Sequence, residues 1–287
     1  MKKGTKGMLI AAGVFAVVGI GLCIGGISVA AVENRGNVFD QADEVIRNHA
    51  YPLAGLIHFG KSVRTLDTDW NITDGDTVEL EFASDLEISL KYDELLFQEY
   101  DGDKIRVEVA NDTKQDVVVN KSSGKITITD THSGTSRKQK QIKVSVPSGK
   151  KFGSVVMGID AGTIELNCDL QAEDFSLEVG AGEFSSCGAV TAKSCVLQVG
   201  AGTLDIDMLD TQKLSADCGT GEISLIMAGK EKDYDYELTC GIGEIDLGDS
   251  EYSGFGIEKT ISNDGASRNM VLECGMGEIE VEFDGED

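Results

Sequence analysis

The sequence predicts an all-β protein whose main domain is a mostly parallel β-solenoid, or β-helix-like coil, preceded by one N-terminal transmembrane helix. Three observations support this: an uncharged run near the N-terminus, alternating apolar and polar residues in the middle of the chain, and a Gly-x-Gly motif that recurs toward the C-terminus. We divide the chain into a cytoplasmic stub with a membrane signal-anchor (1–32), a helical juxtamembrane spacer (33–60) and a β-strand-repeat domain (61–287).

The N-terminal segment has the properties of a membrane anchor. Residues 8–32 form a run of 25 residues without a charge, and about 20 apolar residues suffice to cross a bilayer as a helix. Lys2, Lys3 and Lys6 precede the run, so the positive-inside rule predicts a cytoplasmic N-terminus with residues 33–287 outside the cytoplasm. The competing interpretation is a cleaved signal peptide and a secreted protein, although the run exceeds the usual length of a signal peptide's apolar region.

Two patterns follow the anchor. Val38, Phe39, Ala42, Val45 and Ile46 share one face of a short helix, which we interpret as a spacer or as a cap over a β-structure. From residue 63 onward the period becomes two, which is typical of strands with one buried face. The predicted strands are 77–82, 86–90, 104–109, 125–129 and 141–146, and the polar residues 133–140 are predicted to form a loop.

An internal repeat occupies about 155–283. Its full copies are 177–184, 197–204, 216–223, 238–245 and 272–279, and a degenerate copy lies at 158–164. The second glycine falls at 162, 182, 202, 221, 243 and 277, so the period is near 20 until a long last step, where 254–269 is predicted to protrude as a loop. Such a period predicts stacked coils, with a roll of β-hairpins as the fallback.

Alternation assigns each repeat position to a face. Aliphatic residues such as Leu177 and Val179 point inward, whereas acids such as Glu183 point outward. Glycine favours a corner where the backbone of the next coil approaches closely or where φ is positive. The structural glycines are Gly180, Gly182, Gly200, Gly202, Gly219, Gly221, Gly241, Gly243, Gly275 and Gly277.

Charge and motifs exclude several kinds of function. The net charge of −25 argues against nucleic acid as a partner. His49, His58 and His132 are isolated, so no zinc site is predicted, and no serine lies in a nucleophile-elbow motif. No cofactor, catalytic residue or enzyme activity is expected. The outward acids keep an extended repeat soluble; Glu222, Glu244, Asp246, Glu278 and Glu280 are weak candidates for diffuse cation binding.

The cysteines of the repeats are expected to be core residues. Cys218, Cys240 and Cys274 occupy a position that is valine in earlier copies, and Cys195 also falls on the inward face. Neighbouring strands hold such side chains about 4.8 Å apart, which is poor geometry for a disulfide. We therefore favour buried thiols, with Cys187 and Cys195 as the pair least constrained by this reasoning.

The combination of one membrane helix, alternating strands, Val146-Pro147-Ser148-Gly149 and the Gly-x-Gly copies resembles the bacterial family named as putative adhesins. These are β-strand-repeat domains of unknown function, and some are membrane-anchored products of envelope-stress operons. The resemblance covers about 63–283 and implies a surface-exposed, non-enzymatic β-repeat domain without known catalytic residues.

The resulting functional expectation is a binding or scaffolding module at the bacterial cell envelope. It would be anchored in the lipid bilayer through residues 8–32. Its ligand would be an envelope protein or a glycan, and the sequence specifies neither the ligand nor the oligomeric state. The alternatives are an accessory or regulatory component of an envelope-stress response and a secreted form of the same module.

Overall fold

The computed structural model describes residues 70–71, 77–133 and 139–285. The predicted membrane helix at 8–32 and the spacer at 33–60 lie outside these residues. Within the described ranges, no helix combines the length and apolar character needed to cross a bilayer. The described elements are strands apart from one short 3-10 helix at Glu231–Asp233, so the all-β prediction is confirmed for this part of the chain.

The strands follow one another with short connections. Among the first eight strands, five correspond to the alternating segments predicted from the sequence, whereas β1, β4 and β6 were not predicted. Their bounds are β1 Trp70–Asn71, β2 Thr77–Glu81, β3 Asp85–Leu90, β4 Glu94–Tyr100, β5 Lys104–Ala110, β6 Val117–Ser122, β7 Lys125–Asp130, β8 Gln141–Pro147, β9 Lys151–Ile159, β10 Thr163–Leu166, β11 Leu170–Val179, β12 Glu183–Ser186, β13 Val190–Val199, β14 Thr203–Cys218, β15 Glu222–Met227, β16 Tyr234–Cys240, β17 Glu244–Leu247, β18 Ser250–Ser253, β19 Ile257–Ile261, β20 Arg268–Cys274 and β21 Glu278–Phe283.

The strands pair in two parallel stacks, which we call stack A and stack B. Stack A runs in the order β7, β3, β9, β11, β13, the second part of β14, β20 and β16. Stack B runs in the order β8, β4, β10, β12, the first part of β14, β15, β21 and β17. One strand from each stack, joined by a tight corner, forms a coil. The register is therefore that of stacked coils rather than of a roll of hairpins.

The coils do not stack in the order of the sequence. Strand β20 pairs with β14 on one side and with β16 on the other, and β21 lies likewise between β15 and β17. The Gly275 amide donates to the Cys218 carbonyl at 2.8 Å, and the Gly241 amide donates to the Cys274 carbonyl at 2.8 Å. The last copy is thus inserted between the two preceding copies, which accounts for the long final step in the repeat.

Antiparallel strands cover both ends of the stacks. Strands β6 and β5 pair antiparallel with β7 and β8 at one end, and β19 and β18 pair antiparallel with β16 and β17 at the other. The prediction of a protruding loop at 254–269 is therefore wrong for Ile257–Ile261, which forms β19, and for Arg268 and Asn269, which begin β20. The reason is that an open parallel edge offers unpaired backbone groups, and β19 satisfies those of β16.

Inward side chains form columns along the stacks. In stack B one column runs through consecutive coils, and each of its members is at most 1% exposed. Its members in register are Ile164, Phe184, Leu204, Ile223, Ile279 and Ile245. Burying a large aliphatic or aromatic side chain contributes about 1.5–3 kcal/mol relative to leaving it exposed, so these columns supply much of the stabilisation of the domain.

The paired glycines of the repeat stand in columns at the corners between the stacks. A Cβ added to Gly202 would lie 2.1 Å from the carbonyl oxygen of Gly182, and one added to Gly221 would lie 2.1 Å from that of Gly202. None of these three glycines has φ in the left-handed region. Glycine is therefore required here because the backbones of successive coils approach too closely for any side chain.

The cysteines occupy the predicted positions. Cys195, Cys218, Cys240 and Cys274 are buried, and the last three align in the register Cys218, Cys274, Cys240 because of the inserted coil. Cys187 is exposed, and the six cysteines of the described residues are free thiols. Burial raises the pKa of the Cys195 thiol, as expected for a thiol that serves as a small apolar core residue.

Candidate functional site

The outer side of stack B carries carboxylates in two rows, which we call the acidic face. Glu222, Glu278 and Glu244 stand side by side on β15, β21 and β17. In the second row Glu280 lies opposite Asp246 in the strand register, and Asp246 lies opposite Glu251 on β18. The structure therefore brings together all five acids that the sequence proposed as cation-binding candidates.

Electrostatic repulsion and partial desolvation act together on this face. The pKa of Glu244 is raised by desolvation and by the nearby charges of Asp246, Glu251 and Glu278. The pKa of Glu280 is raised by desolvation and by Glu282, Glu278, Asp246 and Glu222. The outward positions of β12, β15, β17 and β21 include no lysine or arginine. A positively charged partner would relieve this repulsion.

The geometry of the acidic face differs from that of a closed cation site. Adjacent carboxylates project from strands about 4.8 Å apart and in the same direction. Calcium needs six to eight oxygens at roughly 2.3–2.6 Å around one point. Among the described residues, no group of three or more His, Cys, Asp or Glu side chains converges in a way that could hold a metal ion. Diffuse cation binding by these five acids stays a prediction.

The outer side of stack A differs in character, and we call its centre the neutral strip. It comprises Val156, Ser176 and Val196 on β9, β11 and β13, which are 6%, 3% and 4% exposed although they point away from the core cluster. The Ser176 hydroxyl is buried without a hydrogen-bond partner. Beside the strip, burial and the charge of Asp160 raise the pKa of Glu178 to about 7.

A third group of polar residues is buried inside the domain, and we call Asp93, Asp130 and Lys140 the buried charge cluster. These residues are 1%, 3% and 5% exposed. Lys140 Nζ lies 3.0 Å from Asp130 Oδ1 and 3.4 Å from Asp93 Oδ1. The His132 amide donates to Asp130 Oδ1 at 2.9 Å, and the His132 ring pairs with Asp116 at 2.8 Å through Nδ1. Asp93 Oδ2 is buried without a hydrogen-bond partner.

The charges of the cluster are unbalanced, because one ammonium group faces two carboxyl groups. Burial and the charge of Asp130 raise the pKa of Asp93 to about 6. Burial opposes the charge on Lys140, but hydrogen bonds and charges from Asp130 and Asp93 outweigh it and raise the pKa of Lys140 above its ordinary value. The cluster therefore places one ammonium group between two carboxyl groups that water scarcely reaches.

Sequence comparison decides the family of the chain. The model of the family described as Toastrack DUF4097 matches residues 61–269, which is more than half of the chain. The chain belongs to the Toastrack DUF4097 family. The family match ends at the second residue of β20, so it covers the stacks except for nearly all of the inserted last coil. The family resemblance drawn from the sequence is confirmed by this match.

Solved structures similar to the toastrack domain share little sequence with it. A putative cell adhesion protein from Clostridium sporogenes is 12% identical, with 73% of this chain and 99% of that chain covered and a TM-score of 0.38. A putative adhesin from Bacteroides fragilis is 11% identical, with 74% and 98% covered and a TM-score of 0.38. Similarity at these TM-scores supports no conclusion about the function of this chain. No curated protein matches the chain.

Sequence reasoning missed the buried charge cluster of the toastrack domain, although a signal was present. Asp130 lies two residues after the inward Ile128, and Lys140 lies two residues before the inward Ile142. Because side chains alternate along a strand, both charged side chains are expected to point inward like Ile128 and Ile142. Lys140 does lie in the predicted loop, immediately before β8, but its side chain is buried between two carboxylates, which the polar character of the segment did not indicate.

Replacing Glu273 by Gln is expected to change the pH dependence of toastrack stability. Burial and the charges of Asp217 and Glu237 raise the pKa of Glu273 from 4.5 to about 7. The folded state then holds this proton more tightly than the unfolded state, so the free energy of unfolding falls as pH rises from about 4.5 to 7. Above pH 7 the variant should be about 1–3 kcal/mol more stable than the parent.

Chemical denaturation of both proteins at several pH values measures this difference. Glu258→Gln, which removes an exposed acid from β19, is the matched control and should leave the pH profile unchanged. If the free energy of unfolding of the parent and of Glu273→Gln changed with pH in the same way, the raised pKa of Glu273 would be contradicted.

Proposed function

We propose that this toastrack protein is a non-enzymatic binding module of the bacterial cell envelope, held at the membrane by residues 8–32 with its β-domain outside the cytoplasm. The observation that carries the binding role is the acidic face, in which carboxylates stand in register over successive strands without an interleaved base. The membrane position is supported by the long uncharged run and the three lysines that precede it.

The partner that fits the acidic face is an extended polycation, such as a basic segment of another envelope protein. Rows of carboxylates about 4.8 Å apart match a ligand with repeated positive charges better than a single metal ion. Their summed field also attracts such a ligand from a distance, and that attraction weakens as salt is added.

A charge-matched pair of variants tests this function. The first, Glu222→Gln, Glu244→Gln and Glu278→Gln combined, removes three charges from the acidic face. The second, Asp101→Asn, Asp103→Asn and Glu258→Gln combined, removes three exposed charges elsewhere. The full chain in nanodiscs of neutral lipid is titrated with a poly-lysine peptide by calorimetry at low and physiological salt.

We expect the first variant to lose about tenfold in affinity and the second to lose little, because local rather than net charge governs binding. Equal losses in the two variants would show that only net charge matters, and an absence of binding by the parent chain would refute the polycation. If the β-domain remained in the medium after cell fractionation, the secreted alternative would replace the anchored form.

A further inference from the structure

We propose that Lys140 and Asp130 become joined by an isopeptide bond between Lys140 Nζ and Asp130 Cγ, which the folded domain forms by itself with Asp93 as the proton carrier. The reacting groups are already in contact, since Nζ lies 3.0 Å from Asp130 Oδ1. The third group is also near, since Nζ lies 3.4 Å from Asp93 Oδ1. The bond would link the end of β7 directly to the residue before β8.

Burial favours this condensation. An amine and a carboxylic acid do not condense in water at neutral pH, because they are charged and because water competes. The side chains of Lys140, Asp93 and Asp130 are 7%, 1% and 1% exposed, so competing water is kept away from the pair. Burial also opposes the charge on Lys140 and so offsets part of the stabilisation that the two carboxyl groups give to the ammonium group. Fixing two reactants in contact can also supply effective concentrations on the order of 10⁵ M or more.

The reaction balances without any other reactant. Asp93 first accepts one proton from the Lys140 ammonium group, which leaves a neutral amine. The lone pair of Nζ then attacks Asp130 Cγ, and a C–N bond forms. Nζ gives up a second proton, and Asp93 delivers protons to one Asp130 oxygen, which departs as water when its C–O bond breaks. One ammonium and one carboxylate thus become one amide and one water molecule, and Asp93 returns to its starting state.

The environments of the two carboxyl groups decide their roles. Asp130 Oδ1 accepts the His132 amide at 2.9 Å, and a donor at this position stabilises negative charge that develops on the oxygen during attack. Asp93 Oδ2 has no hydrogen-bond partner and is free to carry a proton. Asp130 is therefore the group attacked, and Asp93 the acid and base.

Peptide mass spectrometry of the full chain, denatured and digested with trypsin, tests the proposal. Residues 126–137 contain Asp130, and residues 139–143 contain Lys140. The bond would protect Lys140 from cleavage and yield one branched species whose mass is the sum of these two peptides less one water. Complete cleavage after Lys140 without the branched species would overturn the proposal, and a branch from Lys140 to Asp93 would overturn the assignment of roles.

An internal control and three variants sharpen the test. Lys143 Nζ lies only 2.7 Å from Glu108 Oε2, but these side chains are 40% and 37% exposed, so this pair should remain unlinked. Lys140→Arg and Asp130→Ala should abolish the branched peptide, and Asp93→Asn should slow its formation at least about 100-fold. A branch at Lys143, or an undiminished branch in Asp93→Asn, would contradict the mechanism.

Discussion

Replacement of Gly202 by Ala is expected to lower the free energy of unfolding by about 2–3 kcal/mol. The new Cβ would lie 2.1 Å from the carbonyl oxygen of Gly182 and 2.9 Å from a methyl group of Val179. The carbonyl belongs to the backbone of the neighbouring coil, which cannot move without disturbing the parallel register on both sides. Urea denaturation of the parent and variant measures the loss.

The residue between the two glycines provides the control for this experiment. Ala201 lies at the tip of the same corner and is exposed, so Ala201→Ser should change the free energy of unfolding by less than about 0.5 kcal/mol. If Gly202→Ala were as stable as Ala201→Ser, close approach of the coils could not be the reason for glycine at this corner.

Replacement of Phe184 by Ala is expected to be more damaging, with a loss of about 3–5 kcal/mol. The side chain is fully buried in the inward column of stack B, where its register neighbours are Ile164 and Leu204. Removal of the ring leaves a cavity, and the two adjacent coils cannot collapse into it because hydrogen bonds fix their spacing. Thermal and chemical denaturation should both show the loss.

An exposed phenylalanine in the same protein allows an identical substitution as a control. Phe255 lies between β18 and β19 and is 90% exposed. Phe255→Ala should leave the free energy of unfolding nearly unchanged. Comparable losses in the two variants would mean that the Phe184 column is not the source of stability that its burial indicates.

Much of the repeat could be predicted because each copy carries its own local information. The corner glycines, the inward aliphatic residues and the outward acids recur at fixed positions, so one copy explains the next. The order of the coils could not be predicted, because Cys218, Cys240 and Cys274 belong to nearly equivalent motifs. Any of these copies could pair with any other, and only the competition for free strand edges selects the observed neighbours.

The acidic face and the buried charge cluster differ in the same way. The acids of the face belong to repeated positions, so the period of two placed them together. The cluster depends on β4, where the adjacent apolar residues Leu95, Leu96 and Phe97 obscure the alternation. Because the inward and outward positions of β4 could not be told apart, Asp93 could not be assigned to the interior. Its proximity to Lys140, which is 47 residues later in the chain, arises only from the pairing of β4 with β8.

The insertion of the last coil determines when the domain can be completed during synthesis. Residues 234–261 emerge from the ribosome before 268–283, yet they belong on the far side of that later segment. Until residues 268–283 are available, β14 and β16 each retain an unpaired edge with the same motif, and such edges readily pair with the wrong strand. In a nascent toastrack chain the C-terminal coil must therefore insert between two similar strand edges. If β14 had already paired with β16, that pairing would have to open before the native order is reached.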